Sequence, residues 1–195
     1  MTSLLVNKEL PVKAFSSSQD FRLWLKKNHA KSDGIWLRFY KKHSGKKTIT
    51  YDEALDEALC FGWIDSQKKS YDADSFIQRF SPRRSRSIWS ERNTLHIERL
   101  IKDKRMMASG FAQVEQAKKD GRFAQAYASQ RNAVIPADLH KEIDSDPKLK
   151  SFVASLSRSN VHAISFRLHT AKKPETRERR FRLIMEMLKR GEAFY

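Results

Sequence analysis

Apolar residues follow two rhythms along this chain, a period of two in several runs before residue 80 and helical spacing almost everywhere after it. PVKAF (11–15) reads as a short extended segment. Serines 16 to 18 then offer an N-cap for a helix with Phe21, Trp24 and Leu25 on one face. Asp33-Gly34 turns the chain into IWLRFYKK, where Ile35, Leu37 and Phe39 alternate with Trp36, Arg38 and Tyr40. Aromatic residues on both faces predict an interior strand. Thr50 and Glu53 form a T-x-x-E capping box opening a helix with Ala54, Leu55, Ala58, Leu59 and Phe61 inward and Gly62 as its C′ residue. Trp63 to Asp65 then begins a strand, Asp72 to Asp74 turns it, and Phe76 to Phe80 returns as far as Pro82.

Helices fill the rest. Ser87 or Ser90 caps a helix carrying Leu95, Ile97, Leu100 and Ile101, with Met106, Met107 and Gly110 at its end. A short helix follows over Phe111 to Lys119, and Gln130 to Pro136 reads as a linker. Further helices start at Pro136 and Pro147, and Val161, Ile164, Ser165 and Leu168 have helical spacing. Pro174 stands at N1 of the last helix, whose stripe of Phe181, Ile184, Met185 and Leu188 closes at Gly191. The expectation is an α+β protein. An N-terminal lobe (1–129) holds a small, mainly antiparallel sheet with flanking helices, and a helical C-terminal module (130–195) follows.

Composition adds a partner class. A hydrophobic content of 39% with 32% charged residues describes a folded chain with a densely charged surface. The net charge of +16 is far from neutral. It points to a polyanion, whether nucleic acid, an acidic membrane surface or a phosphorylated ligand, or else to a solvated excess that serves only solubility. Cys60 is the single cysteine, so no intramolecular disulfide can form. Between Leu59 and Phe61 it is expected to be buried and inert. The start, MTSLLVNKEL, lacks a secretory pattern, and no apolar run approaches the ~20 residues of a membrane span. A cytoplasmic location is expected.

Familiar chemistry is sparse. None of the six histidines has a second histidine or cysteine three or four residues away, so no metal site is expected. Glycine-rich phosphate loops and a nucleophile elbow are absent, and no cofactor is expected. Asp65 is expected beside Arg79 or Arg83, either as an ion pair bracing the hairpin or as a polar group of a cleft together with Asn93. The clearest feature is the basic run that follows the hairpin. Arg79, Arg83, Arg84 and Arg86 gather with Ser87, Trp89 and Ser90 just before a helix start, where guanidinium forks, hydroxyls and free N–H groups together suit an anion. Trp89 either stacks a base or anchors the loop in the core. Lys172, Lys173, Arg177 and Arg180 make a second basic face, although Glu175 and Glu178 interleave as on an ordinary solvated helix.

ALCFGWID (58–65), the F-S-P-R…S-x-W-S-x-x-N run (80–93), L-x-x-x-x-R-M-x-x-x-G (100–110), IPADL (135–139) and AKKPETRERR (171–180) together resemble the YdeI/OmpD-associated family, often labelled bacteriocin-protection proteins. Lys104 stands where that resemblance leads one to expect a glycine. The resemblance implies stress tolerance or association with an outer-membrane porin, and no reaction, cofactor or catalytic residue. A chain of charge +16 cannot neutralise a cationic peptide by attraction, so any protection would be indirect. The resulting expectation is a non-enzymatic protein binding an anionic partner, a phosphate-bearing small molecule or nucleic acid, through its arginine-rich loop and helix N-terminus. The alternative is an enzyme acting on a small anionic substrate in a cleft near Asp65 and Asn93.

Overall fold

The computed structural model describes residues 10–195. Two compact units divide the chain, one formed by residues up to Ser87 with Asn93–Ala124, the other by Ile88–Arg92 with Gln125–Tyr195. The protein is α+β, with a four-stranded sheet early in the chain and helices after it.

In the first unit β1 (Val12–Ala14), β2 (Ile35–Tyr40), β3 (Trp63–Asp72) and β4 (Ser75–Pro82) form a sheet in the order β1-β2-β4-β3. β1 runs parallel to β2, and the other pairings are antiparallel. β2 is therefore interior, as its two-sided aromatic pattern predicts. Ile35, Leu37 and Phe39 are buried in the core, to which α1 (Ser18–Asn28) contributes Phe21 and Leu25 and α2 (Tyr51–Cys60) contributes Leu55 and Leu59. Phe21 of α1 packs edge-on to Phe80 of β4, with ring centroids 5.9 Å apart. Both helix starts are capped as their sequences dictate. Ser17 accepts from the Asp20 N–H, and Thr50 and Glu53 complete the reciprocal box. Gly62 leaves α2 with a φ of 76°, a left-handed conformation that costs glycine nothing.

One expectation needs correcting here. α3 (Glu91–Lys102) ends well before Gly110, which lies inside α4 (Ala108–Lys119) instead of closing α3. The reason is a close approach. A Cβ on Gly110 would sit 2.3 Å from the Cys60 carbonyl oxygen, and that same carbonyl accepts the Met107 N–H at 3.0 Å. Glycine here is a packing requirement. Between the two helices Lys104 takes a φ of 54°, the left-handed conformation for which the missing glycine would be suited.

The second unit contains α5 (Ala137–Asp144), α6 (Pro147–Ala154), α7 (Arg158–His169) and α8 (Pro174–Lys189). Its core is aliphatic, built from Leu139, Ile143, Leu149, Ile164, Leu168, Ile184, Met185 and Leu188. Asp146 caps α6 and Ser157 caps α7 through their side chains. No helix among the described residues is long and apolar enough to cross a membrane.

Candidate functional site

Strand alternation sorts the first unit's polar side chains onto two faces. Arg79 lies opposite Trp36, and Ile77 lies between Arg38 and Lys69, all on the face turned away from α1 and α2. There the Arg38 guanidinium stands 4.6 Å from the Tyr40 ring centroid and 4.9 Å from that of Tyr71. It also donates to Asp72 Oδ2 and Ser75 Oγ. Lys69 Nζ lies 5.0 Å over Trp36, and Lys46 Nζ 5.1 Å over Tyr40. Cations are held over ring faces by the aromatic quadrupole. Trp36, Arg38, Tyr40, Lys69 and Tyr71 are thus brought together here, although none is among the residues expected from sequence to form a site. The signal was present in IWLRFY, whose outward positions are aromatic or cationic at every step.

β4 runs directly into the basic loop. Arg83 is buried at 6% exposure, and its backbone N–H donates to the Gly62 carbonyl at 3.0 Å. Arg84 to Ser87 forms a closed turn. The Ser87 N–H donates to the Arg84 carbonyl at 2.9 Å, and the Arg84 N–H donates to Ser87 Oγ at 3.1 Å. Arg122 Nη1 then donates to the Ser87 carbonyl at 2.8 Å. On this fixed turn the Arg84 and Arg86 side chains are exposed, and no carboxylate among the described residues pairs with either.

Trp89 and Ser90 belong to the second unit. Trp89 is 2% exposed and Ser90 bridges Tyr127. The Tyr127 N–H donates to the Trp89 carbonyl and the Glu91 N–H to the Tyr127 carbonyl, each at 2.9 Å. The N–H of the first residue of α3 is thus already engaged by protein.

Asp65 pairs in register with Phe80, on the core side of β3. Its carboxylate accepts from the Tyr51 hydroxyl at 2.8 Å and from Gln78 Nε2 at 3.3 Å. These partners stand in place of the expected Arg79, which projects from the opposite face of the sheet. Asn93 is buried on α3 at 8% exposure.

The ion cluster of this unit lies elsewhere, on α2. Glu57, 4% exposed, accepts from Arg22 and Arg105 at 2.7 Å each. Asp56, 7% exposed, accepts from Arg99 at 2.6 Å and pairs with His96 at 2.7 Å. Burial works against ionisation of Asp56, but the hydrogen bonds from Arg99 and His96 outweigh it and hold the carboxyl below its usual range. Cys60, at the end of the same helix, is fully buried, and burial followed by the nearby Glu57 charge pushes its thiol up to about 11. No group of three or more His, Cys, Asp or Glu side chains among the described residues is placed to hold a metal ion.

The second basic run is divided among different tasks. Lys172 and Lys173 are exposed ahead of α8. Arg177 pairs with Asp138 at 2.6 Å and so ties α8 to α5. Arg180 turns inward and donates to the Arg167 carbonyl at 2.6 Å.

Compared with known families, residues 13–113 match the family described as Domain of unknown function (DUF8412). Residues 132–191 match the family described as Bacteriocin-protection, YdeI or OmpD-Associated. IPADL and AKKPETRERR fall inside the second match, whereas ALCFGWID and the basic loop fall inside the first. No curated protein and no solved structure matches the chain.

Proposed function

Since the chain belongs to the DUF8412 family and its C-terminal part to the bacteriocin-protection, YdeI or OmpD-associated family, we propose that it works as a binding protein for single-stranded nucleic acid, held by the first unit. One observation carries this reading: Arg84 and Arg86 stand outward on a hydrogen-bonded turn with no carboxylate against them, in a unit that neutralises Arg22, Arg99 and Arg105. Unmatched guanidinium groups on an ordered backbone are suited to phosphate, which accepts two parallel N–H bonds from each fork.

The half-exposed sheet face supports a strand of bases over an isolated phosphate ester. Trp36, Tyr40 and Tyr71 offer ring faces, and Lys69 over Trp36 and Lys46 over Tyr40 are on flexible stems that can move to a phosphate, whereas Arg38 is held by Asp72 and Ser75. The family's protection label fits an indirect route, because a chain of charge +16 repels cationic peptides.

The test is fluorescence anisotropy with a labelled oligothymidylate over a salt series. Affinity should fall linearly on log–log axes, and the Arg84→Ala/Arg86→Ala variant should flatten the slope by about 1.4, roughly 0.7 for each phosphate that is no longer neutralised. Trp36→Ala should weaken binding by about 1–3 kcal/mol with the slope unchanged. An affinity and slope identical in wild type and the double variant would overturn the reading. So would a preference for inorganic phosphate or a phosphate monoester over the oligonucleotide.

A further inference from the structure

The second unit contains a cavity of about 930 Å³ between α7, α8 and the segment that follows α8. That volume lies near the upper end of small-molecule pockets. Its interior is apolar and aromatic. Ala163 and Ile184 are buried beneath it, and Phe166, Met187 and Phe194 wall it. Phe166 meets the Tyr127 ring edge-on at 4.8 Å and stacks with His162 at 5.8 Å.

Two guanidinium groups, those of Arg167 and Arg180, line this space and form no ion pair. The Arg167 guanidinium stands 3.8 Å over the Phe194 ring, and its hydrogen bond is to the Ala163 carbonyl at 3.3 Å. Arg180 bonds the Arg167 carbonyl at 2.6 Å and Thr170 Oγ1 at 3.2 Å. Neither is ion-paired with a carboxylate among the described residues, and the one acid lining the cavity, Glu192, is matched by Arg190 at 2.9 Å. Each guanidinium has five N–H donors, so both retain capacity for an acceptor.

The wall carrying Phe194 is fixed in place. Asn160, 5% exposed, accepts the N–H groups of Phe194 and Tyr195 through Oδ1 at 2.9 and 3.1 Å. Its Nδ2 donates to the Tyr195 carbonyl at 3.2 Å and to Ser157 Oγ at 3.1 Å. One buried amide thus fastens this segment to α7, and the ordering of that wall does not have to be met when a ligand enters.

We propose that this cavity is a binding site for a small aromatic anion, its ring system among Phe166, Phe194, Tyr127 and His162 and its acidic group on Arg167 and Arg180. The site is independent of the nucleic-acid reading, which concerns the first unit. Aromatic walls select a flat body, and two unmatched guanidinium groups at a low-dielectric surface select negative charge.

The probe is 2-naphthoate, titrated into the full chain with 13C-labelled methionine methyl groups and followed by NMR. Met187 lines the cavity and should shift with saturation, while Met106, buried in the first unit, should stay in place. The neutral analogue 2-naphthalenemethanol should bind at least about tenfold more weakly, the loss expected for a missing charge-assisted hydrogen bond. Arg167→Gln should weaken naphthoate by a similar factor. Should Arg167→Gln disturb α7, Leu183→Glu provides the second arm, since Leu183 lines the cavity yet is 58% exposed and its replacement sets a negative charge against the ligand. A Met187 signal that never moves, an alcohol that binds as tightly as the acid, or a Leu183→Glu chain that binds naphthoate unchanged would overturn the proposal.

Discussion

The α2 cluster and the basic loop treat arginine in opposite ways within one compact unit. At α2, the acids Asp56 and Glu57 are buried below one-tenth exposure and are ringed by Arg22, Arg99, Arg105 and His96. At the loop, Arg84 and Arg86 are ordered by their backbone and exposed without an acid partner. The difference lies in the supply of carboxylates. Where the fold needs α1, α2 and the α3–α4 connection joined, it provides buried acids, and each arginine there becomes a brace. Where no acid is provided, the arginine stays exposed and without an ion pair, as the proposed anion site requires. Net charge alone could not separate these two fates.

The largest effect that would sharpen this contrast is Glu57→Ala. It leaves Arg22 and Arg105 without their shared acid at a nearly buried site, and should destabilise the first unit by about 2–4 kcal/mol in urea unfolding, tempered by the partial exposure of both arginines. A loss under about 0.5 kcal/mol would mean that the cluster is no brace.

Next comes acid. The Asp56 carboxyl is lowered in the folded protein relative to the unfolded chain, so its contribution is fully present above the unfolded value near 3.9 and is lost as pH falls through the lower folded value. Thermal midpoints should therefore drop below about pH 4, and more gently for Asp56→Asn than for wild type. Equal pH slopes for the two chains would break the assignment.

Lys104→Gly should stabilise by roughly 0.5–1 kcal/mol. It relieves the left-handed strain of a non-glycine residue, and the greater freedom of glycine in the unfolded chain takes back part of the gain. A destabilised variant would show that the Lys104 side chain contributes more than its backbone costs. Smallest of all, Arg84→Ala/Arg86→Ala should change stability by less than about 0.5 kcal/mol. A large loss there would erase the contrast, making the loop arginines braces as well.

Much of the fold was legible because local rules agreed with one another. The Thr50–Glu53 box, the Gly62 exit and the alternation of β2 each announce their own structure. The partner of Asp65 follows from strand alternation and not from the arginines near it in sequence. With Asp65 opposite Phe80, alternation puts Gln78 on its side of the sheet and Arg79 on the other. Gly110 reads locally as a helix end, and only the proximity of a carbonyl fifty residues earlier explains a glycine inside a helix. The Asp56 cluster joins residues some 40 positions apart, so no window of sequence contains it. The cavity of the second unit was equally hidden, since Arg180 reads as one more charge on a solvated helix until its inward turn is seen.

The meeting of Gly110 with the Cys60 carbonyl has a consequence for how this unit opens. The last turn of α2 meets the start of α4 through the Cys60 carbonyl, which accepts the Met107 N–H and lies against Gly110, where no Cβ intervenes. α4 cannot lift away while leaving α2 sealed, for its departure would strip the Met107 hydrogen bond and expose the Cys60 carbonyl together. Native-state hydrogen exchange should thus find the amides of both helices released in one cooperative event. The Cys60 thiol would then serve as an internal reporter of that opening, because it meets reagent only when the two helices part.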